Sequence, residues 1–434
     1  MALIHAGASS RLGLALSGGG YRAAAFHLGT LRKLDELGFL QQVDVLSTIS
    51  GGSITGAAYC LHKGSYPAFH AYMTNALLTC SVVGRALRSA VFGKLLGFAL
   101  IFLMAGVGLL FTRWAPLALL VLVLFVAIVL KYQFRLFPIS QEIEKAYDHF
   151  FYHGRTLQDL SADQELAIGS SNLQTGRPFT FSKNWMGDST YTYCKPPIRF
   201  RASSFPIARA VTASSCVPFA FTPVPIALAY VQNAADYNRI SPQLIDGGVY
   251  DNQGIQKLTQ PNNHFACDII VTSDAGGGMT FLESYPNTAA LMLRTVDLFM
   301  NRIKNFQMAA SVFQNGANHG KPIAYLSLSW RLEKCIPGFV DNMVHGNVLA
   351  PIMAARQLLP DWINEPEKYR NAIEQHLEQQ VGYAAIAARD LTRAEWEMAR
   401  RIGTNLTRLS PAELNALVRH AENLTELQVK LYLP

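Results

Sequence analysis

The sequence predicts an α/β fold built on a parallel sheet, into which a pair of apolar helices is inserted. Twice near the start of the chain, a short apolar run leads through a turn into a helical pattern, first at Leu12–Leu16 and then at Val43–Ile49. Repeated strand–turn–helix units are typical of parallel α/β sheets. A second observation is the segment 95–130, in which charged side chains are almost absent. Its composition is that of a membrane segment inside an otherwise globular chain.

The first strand–turn–helix unit runs from LGLAL through SGGG into a helix. Apolar residues recur at helical spacing from Ala24 to Leu34, and Gly38 suits the end of that helix.

Before the strand, Arg11 lies where a secretory signal would need an apolar core, so we expect no signal peptide. The functional groups should therefore face the cytoplasm.

Two uncharged runs predict a transmembrane helical hairpin. They cover Leu95–Thr112 and Leu117–Leu130 and lie near the lower edge of the ~17–25 residues that span a bilayer. They are apolar on every face, which argues against a pair of buried core helices. Because the runs are short, an anchor that stays in one leaflet is an alternative. Pro116 suits the first turn of the second helix. Small residues would allow close packing of the two helices: Ala105, Gly106 and Gly108.

Basic residues flank the hairpin and predict its orientation. Five of them lie before or after it: Arg85, Arg88, Lys94, Lys131 and Arg135. The turn between the runs carries only Arg113, so the positive-inside rule places both flanks in the cytoplasm. We expect a location in the bacterial inner membrane, with the catalytic domain facing the cytoplasm.

The composition excludes several classes of function. The chain has 434 residues, of which 50% are hydrophobic and 15% are charged, and its net charge is +7. The basic excess is scattered, which favours a lipid bilayer with an anionic surface over nucleic acid as the partner. The six cysteines show no C-x-x-C spacing, so we expect reduced thiols and no zinc site. We expect no other metal or cofactor either.

The stretch VDVLSTISGGSITG offers two candidates for a nucleophilic serine. A nucleophile elbow needs small residues two positions before and after the serine, and the later position, against the starting helix, is the tighter one. Ser50 follows the predicted strand and has Gly52 at that position, whereas Ser53 has Thr55. We therefore expect Ser50 to be the nucleophile and Ser53 to cap the helix. Thr48, where glycine is usual, departs from the pattern.

Three glycines, Gly18, Gly19 and Gly20, lie between the first strand and its helix. A phosphate-binding loop would need Gly-Lys followed by Ser or Thr, and a dinucleotide fingerprint would need another glycine spacing. An oxyanion hole made of backbone N–H groups is a third interpretation, and a plain tight turn is a fourth. The glycines alone do not decide between the last two.

A serine nucleophile needs a base, and the sequence offers Asp246. This residue ends an apolar strand in LIDGG, so its carboxylate should lie at the sheet edge that carries the elbow. The alternative is an aspartate that only stabilises its own turn. The histidines lie in no recognisable motif, and His27 on the first helix is expected to be structural.

Three motifs, taken in order, resemble the patatin-like phospholipases. GGGYR at 18–22, the elbow at Ser50 and DGG at 246–248 are similar to that family's G-G-G-x-R/K, G-x-S-x-G and D-G-A/G. The stretches ASSCVPFAFTPV and NLQTGRPFTF resemble further parts of the family pattern. The resemblance covers residues 12–85 and 137–280.

The resemblance implies a three-layer α/β/α fold and a Ser50–Asp246 dyad that works without histidine, metal or cofactor. It also implies that Arg22 either contacts a lipid phosphate or makes a structural ion pair at the start of the helix. The oxyanion hole would be formed by the backbone N–H groups of three residues: Gly18, Gly19 and Gly20.

We therefore expect a membrane-anchored serine lipid acyl hydrolase of the phospholipase A or lysophospholipase type, acting on membrane phospholipid or lysophospholipid. An acyltransferase with the same dyad and a membrane scaffold without activity are the alternatives. The expected divisions are a first part of the patatin-like domain at 1–90, the transmembrane hairpin at 91–136, the second part of the domain at 137–352 and a helical C-terminal region at 353–434.

Overall fold

A mixed β-sheet forms the centre of the molecule. The computed structural model describes residues 10–62, 64–279 and 285–434. Within these ranges nine strands belong to the sheet: β1 (Leu12–Leu16), β2 (Val43–Ile49), β3 (Glu165–Asn172), β4 (Arg177–Phe181), β5 (Met186–Gly187), β6 (Val224–Pro225), β7 (Gln243–Asp246), β8 (Ile269–Asp274) and β9 (Ile323–Ser327).

The sheet is parallel at its centre, as predicted, and antiparallel on one side. Its order is β5-β4-β3-β2-β1-β8-β9. The five strands β3, β2, β1, β8 and β9 run in one direction. β4 and β7 pair antiparallel with β3, which a purely parallel sheet would not include. For β4 the cause is the tight turn at Gly176, whose φ is +64°, because so short a connection joins only antiparallel strands. The turn lies in NLQTGRPFTF, one of the stretches that resemble the family pattern.

Helices surround the sheet. In the described part of the chain they are α1 (Gly20–Glu36), α2 (Gly51–Leu61), α3 (Tyr66–Thr79), α4 (Val82–Leu87), α5 (Ala90–Leu110), α6 (Pro116–Leu136), α7 (Ile139–Tyr147), α8 (Ser189–Tyr193), α9 (Ile207–Ser214), α10 (Gly248–Asp251), α11 (Ile255–Thr259), α12 (Thr288–Met308), α13 (Asn315–Asn318), α14 (Cys335–Val344), α15 (Ala350–Ala355), α16 (Pro360–Asn364), α17 (Arg370–Val381), α18 (Tyr383–Ala387), α19 (Arg393–Arg401) and α20 (Pro411–Tyr432).

Side chains alternate between the two faces of the sheet and form an apolar core on each. Along β1, Leu14 and Leu16 belong to one core and Ala15 belongs to the other, and all three are fully buried. The first core is shared with α1, α2 and α20, and the second with α11 and the end of α12. The result is a three-layer α/β/α arrangement, as expected.

The C-terminal region is helical, as predicted, and its last helix completes one of the layers. α20 begins with a capping box, in which the Ser410 side chain accepts from the Glu413 N–H and Pro411 occupies the first turn. The helix lies along α1, where a Cβ added to Gly29 would come within 2.3 Å of the Val418 carbonyl oxygen. This close approach explains the glycine and joins the C-terminal region to the core around the sheet.

α5 and α6 form the predicted helical hairpin, and α6 begins at Pro116, as expected. By length and composition both could cross a membrane: an 18-residue window in Ala90–Leu110 has a mean hydropathy of 2.1, and one in Pro116–Tyr152 has a mean hydropathy of 2.5. The buried residues are Gly106 in α5 and Ala118 in α6, and nearly all others are accessible. The two helices are therefore not core helices of the globular part.

Aromatic side chains contribute to the contact between α5 and α6. The rings of Phe102 and Phe125 lie 5.2 Å apart between their centroids. Gly106 faces the other helix, as the prediction of small-residue packing requires. Gly108 has nothing within 4 Å of its Cβ position, and Ala105 is exposed. The packing prediction is wrong for these two residues because they lie on the outer side of the hairpin.

Candidate active site

Ser50 lies in the sharp turn between β2 and α2. Its φ of +48° and ψ of −115° fall in a region that costs a non-glycine residue about 1–3 kcal/mol. The Ser50 N–H donates to the Ser214 hydroxyl oxygen at 2.8 Å, which helps to hold the strained backbone. A serine on a strained strand-to-helix turn is the geometry of a nucleophile elbow.

Gly52 lies where the elbow crosses the end of β1. A Cβ added to Gly52 would lie 2.3 Å from the Leu16 carbonyl oxygen, which is too close for any side chain. The Gly52 N–H donates to the Ser17 carbonyl oxygen at 3.1 Å. Glycine is thus required two positions after Ser50, as predicted, but the crowding comes from the neighbouring strand rather than from the starting helix.

Thr48 fits a position where the elbow pattern has glycine because Gly56 leaves space for it. The γ-methyl of Thr48 lies 2.6 Å from the position of a Cβ on Gly56. The Thr48 hydroxyl accepts a hydrogen bond from the Ser53 hydroxyl at 3.0 Å, and Ser53 also bonds to the Ser214 hydroxyl at 3.0 Å. The prediction that Ser53 caps α2 is wrong, because this serine lies inside the helix and its hydroxyl bonds to β2.

Asp246 approaches Ser50 through a shared neighbour, β3. β2 pairs with β3 up to the partners Ile49 and Gly169. One residue further along β3, Ser170 pairs with Asp246 of β7. β2 thus ends its pairing with β3 at the elbow, and from the next residue of β3 onward β7 is the partner. The sequence predicted this sheet edge correctly, although β7 runs antiparallel to β3.

The Asp246 carboxylate is buried and accepts a hydrogen bond from the Gly248 N–H at 2.7 Å. Burial raises the pKa of Asp246 to about 7, and the Gly248 N–H and the nearby Ser50 side chain oppose part of that rise. A carboxylate with this acidity, in contact with a serine hydroxyl, can accept the hydroxyl proton near neutral pH. The pair has the chemistry of a nucleophile and its base.

The glycine loop lies directly against the elbow. A Cβ added to Gly18 would lie 3.2 Å from the Ser50 Cβ, and Gly19 and Gly20 have φ values of +140° and +58°. The Gly18 N–H donates to the Asn252 carbonyl oxygen at 2.9 Å. In the described residues the N–H groups of Gly19 and Gly20 have no acceptor. These two are the candidate oxyanion donors, and Gly18 has a structural bond instead.

Gly51 is a further candidate donor and was not predicted. It follows Ser50 and begins α2, and within the described ranges its N–H has no acceptor. A Cβ added to Gly51 would lie 2.7 Å from the Gly20 nitrogen, so the two glycines are in direct contact. In many serine hydrolases the N–H of the residue after the nucleophile forms half of the oxyanion hole. This rule could have predicted Gly51 from the sequence.

The glycine loop, the elbow and the Asp246 turn fall inside one family match. The sequence model of the patatin-like phospholipases matches residues 14–258, which is more than half of the chain. The chain belongs to the patatin-like phospholipase family. Membership of this family supports the predicted class of enzyme, a lipid hydrolase.

Solved structures give weaker matches to this patatin-like chain. Human GIVD cytosolic phospholipase A2 is 15% identical, with a TM-score of 0.39, over 68% of this chain and 45% of its own. The same human enzyme with methyl gamma-linolenyl fluorophosphonate is 14% identical, with a TM-score of 0.44, over 97% and 57%. VipD from Legionella pneumophila is 13% identical, with a TM-score of 0.33, over 96% and 92%. The chain thus spans about half the length of the human enzyme. None of the curated proteins matches significantly.

Arg22 ties the glycine loop of the patatin-like domain to distant parts of the chain. Its Nε donates to the Ala275 carbonyl oxygen at 3.0 Å and its Nη1 to the Ile402 carbonyl oxygen at 2.8 Å. Among the residues that the structure describes, no carboxylate lies within ion-pair distance of Arg22. Arg22 therefore makes structural contacts, but the prediction of an ion pair is wrong, because its partners are carbonyl oxygens. Contact with a lipid phosphate stays a prediction.

Ser214, the last residue of α9, connects the parts of this patatin-like site. Its hydroxyl accepts from the Ser50 N–H and donates to the Gly169 carbonyl oxygen at 2.6 Å. Its carbonyl oxygen accepts from the Gly247 N–H at 3.0 Å. The residue thus positions both the elbow and the turn after Asp246. It lies in the stretch ASSCVPF. The resemblance of this stretch to the family pattern could have indicated that Ser214 belongs to the site.

His27 is structural in this patatin-like domain, as predicted. It is fully buried, and its Nε2 and Nδ1 bond to the Ser17 carbonyl oxygen at 2.8 Å and the Ser273 hydroxyl at 2.9 Å. Burial lowers the pKa of His27 to about 4. Across the described chain, no histidine bonds to Ser50, and no three His, Cys, Asp or Glu side chains are arranged to hold a metal ion.

Proposed function

We propose that the chain is a membrane-anchored serine lipid acyl hydrolase that uses a Ser50–Asp246 dyad on phospholipid or lysophospholipid esters. The observation that carries the proposal is the position of the strained Ser50 and the buried Asp246 beside neighbouring residues of β3, next to the N–H groups of Gly19 and Gly20, which have no acceptor among the described residues. Family membership supplies the reaction class, and the site supplies the residues that perform it.

In the first half-reaction, the Ser50 Oγ attacks the carbonyl carbon of the lipid ester while the Asp246 carboxylate accepts the hydroxyl proton. The carbonyl oxygen becomes an oxyanion, which the N–H groups of Gly19, Gly20 and Gly51 stabilise. The intermediate then collapses and the ester C–O bond breaks. The lipid alcohol leaves with the proton that Asp246 returns, and an acyl-serine is left.

In the second half-reaction, a water molecule attacks the acyl carbon while Asp246 accepts one of its protons. Collapse of the new oxyanion breaks the bond to the Ser50 oxygen, which recovers the proton, and the fatty acid leaves. One carboxyl group serves in both steps, and a pKa near 7 suits both gain and loss of a proton near neutral pH. An alcohol in place of water would turn the same steps into acyl transfer.

The exposed α5–α6 hairpin supports the membrane part of the proposal. Ester bonds of membrane lipids lie at the bilayer surface, so an anchored domain meets its substrate at a high local concentration. Basic residues on both flanks of the hairpin, including Arg88 and Arg135, favour a cytoplasmic position for the rest of the chain. The site would then act on the cytoplasmic face of a bacterial inner membrane.

The test compares Ser50→Ala, Asp246→Asn and Ser53→Ala in the detergent-solubilised full chain. The first two variants should lower hydrolysis of a short-chain ester by about 1,000-fold or more, whereas Ser53→Ala should retain most activity. A fluorophosphonate probe should label the wild type and Ser53→Ala but not Ser50→Ala. Labelling of Ser50→Ala together with loss in Ser53→Ala would overturn the assignment. Mass spectrometry of the products, with an added alcohol, separates hydrolysis from acyl transfer.

A further inference from the structure

A cavity of about 920 Å³ lies at the base of the hairpin, and neither Ser50 nor Asp246 lines it. Its walls come from three separate parts of the chain: α4 with the start of α5, α7, and the segment before α20. Each part contributes basic side chains, namely Arg85, Arg88, Lys145 and Arg408. Basic groups that converge from distant positions on one concave site favour an anionic ligand.

Most of this positive charge is uncompensated. Glu142 is the one carboxylate among the lining residues, and it pairs with Lys145 at 2.6 Å. Within the described ranges, Arg85, Arg88 and Arg408 have no carboxylate within ion-pair distance. All three are exposed, so their guanidinium N–H groups are available to a ligand.

Neutral donors complete the wall of the cavity. Ser81 and Ser89 cap α4 and α5, and their oxygens accept backbone N–H bonds at 3.0 Å and 3.3 Å. Their O–H groups are left to donate. The Phe150 ring lies 5.6 Å from the Arg85 guanidinium carbon, a cation–π contact that restricts this side chain. The cavity therefore combines three arginines with two hydroxyl donors.

The cavity lies where the hairpin meets the globular part. α5 begins at Ala90, directly after the capping Ser89, and Leu96 is 57% exposed. At 1.5 Å per helical residue, Ser89 in the cavity wall is about 10 Å from Leu96 along the helix axis. In a membrane-inserted hairpin, this distance places the arginines at the depth of the lipid phosphates.

We propose that this cavity binds the phosphate of an anionic phospholipid headgroup, an inference that rests on the proposed membrane insertion of the hairpin. Guanidinium groups bind phosphate oxygens through paired, charge-assisted hydrogen bonds. Basic pockets beside transmembrane helices on the cytoplasmic side suit anionic headgroups. The lipid held here is a structural ligand and not the substrate, because the dyad does not line the cavity. It joins Arg408 of the C-terminal region to the base of the hairpin and holds the patatin-like domain on the membrane.

The test measures binding of short-chain phosphatidylglycerol to the detergent-solubilised full chain by native mass spectrometry and calorimetry. The double variant Arg88→Gln with Arg408→Gln should lower the affinity by about tenfold or more. A matched control, Arg177→Gln with Arg199→Gln, removes the same charge from exposed positions outside the cavity and should bind like the wild type. Equal affinity of the cavity variant, or equal loss in both variants, would overturn the proposal.

Inorganic phosphate and phosphatidylcholine of the same chain length separate the sources of the ligand. Weaker binding of both supports a lipid headgroup, whereas phosphate that binds as tightly as the lipid would show that the site takes a free anion. Thermal unfolding without ligand checks that the variants are folded. In the binding measurements every protein also carries Ser50→Ala, so that the proposed dyad does not hydrolyse the phosphatidylglycerol. An inactive wild type would contradict the proposed function and leave this binding result intact.

Discussion

The γ-methyl of Thr48 lies 2.6 Å from the point that a Cβ on Gly56 would occupy, so the two residues share one space between β2 and α2. The usual elbow has its small residue two positions before the serine. In this chain the small residue is on the helix instead, and the threonine fills the space from the strand.

Gly56→Ala should therefore destabilise the fold by about 1–3 kcal/mol and slow ester hydrolysis, because the added methyl collides with Thr48 beside the elbow. Thr48→Ser keeps the hydroxyl that bonds to Ser53 and removes the methyl, so it should restore most of the loss when it is combined with Gly56→Ala. Denaturant unfolding and hydrolysis rates are measured for the wild type, the two single variants and the double variant. Together they give the coupling energy between Thr48 and Gly56. Losses that simply add would show that the two residues do not share this space.

Hydrolysis should depend on pH through Asp246. Burial raises its pKa to about 7, and only the deprotonated carboxylate can accept the Ser50 proton. The value of kcat/KM should therefore rise with pH up to about 7, by about tenfold per pH unit on the acid side, and then level off. The measurement is a profile with a soluble ester. An inflection at the ordinary acidity of aspartate would show that the carboxyl is not buried in the free enzyme.

Asp246→Asn should stabilise the folded chain at alkaline pH while it removes activity. The pKa of Asp246 is about 7 in the folded chain against 3.8 for a free aspartate, so ionisation is penalised by folding. The penalty is absent below about pH 4, grows up to about pH 7 and is complete above it. We expect a gain on the order of a few kcal/mol at about pH 8 and almost none at about pH 4. A gain that is the same at both pH values would contradict this origin.

Ser214→Ala should lower kcat by about 10- to 100-fold with little change in KM, because the Ser50 N–H loses its acceptor while the substrate contacts are kept. Ser214→Thr retains the hydroxyl and should keep more activity. The pH at which activity rises should not move, since the donors to Asp246 are unaffected. A variant with unchanged kcat and a raised KM would show that Ser214 does not act by positioning Ser50.

Replacement of residues 95–130 by a short polar linker should release the protein from membranes and preserve hydrolysis of a soluble ester. α4 and α7, which flank the hairpin, pack against each other, so a short connection can join them. Cell fractionation followed by activity measurement is the check. If the shortened protein still sediments with membranes, the anchor lies elsewhere, and the C-terminal helices become the first candidates.

Local patterns indicated the main residues of the candidate site. Ser50 could be singled out because it follows an apolar strand and has glycine two positions later, and Asp246 because an apolar strand ends there. The partners of Ser53 and of the Gly18 N–H could not be predicted, since tertiary contacts choose them. Strand direction was missed for the same reason, because apolar alternation is alike in parallel and antiparallel strands.

The packing of the C-terminal region against the rest of the chain also could not be predicted from the sequence alone. Its helical character was predicted, and the capping box at Ser410 that begins α20 is a local feature of the sequence. The contact of α20 with α1 depends on Gly29, whose role is visible only when the Val418 backbone lies against it. A glycine inside a helix is weak evidence until its neighbour is known.

β3 is paired at Gly169 with the strand that leads to Ser50 and at Ser170 with Asp246 itself. The separation of the two residues in space is therefore independent of the length of chain between them. That stretch of chain can gain or lose a segment without moving Ser50 away from Asp246, and here the segment is the hairpin. In evolutionary terms, the segment between α4 and α7 can be exchanged while the strand pairing that brings the two residues together is kept.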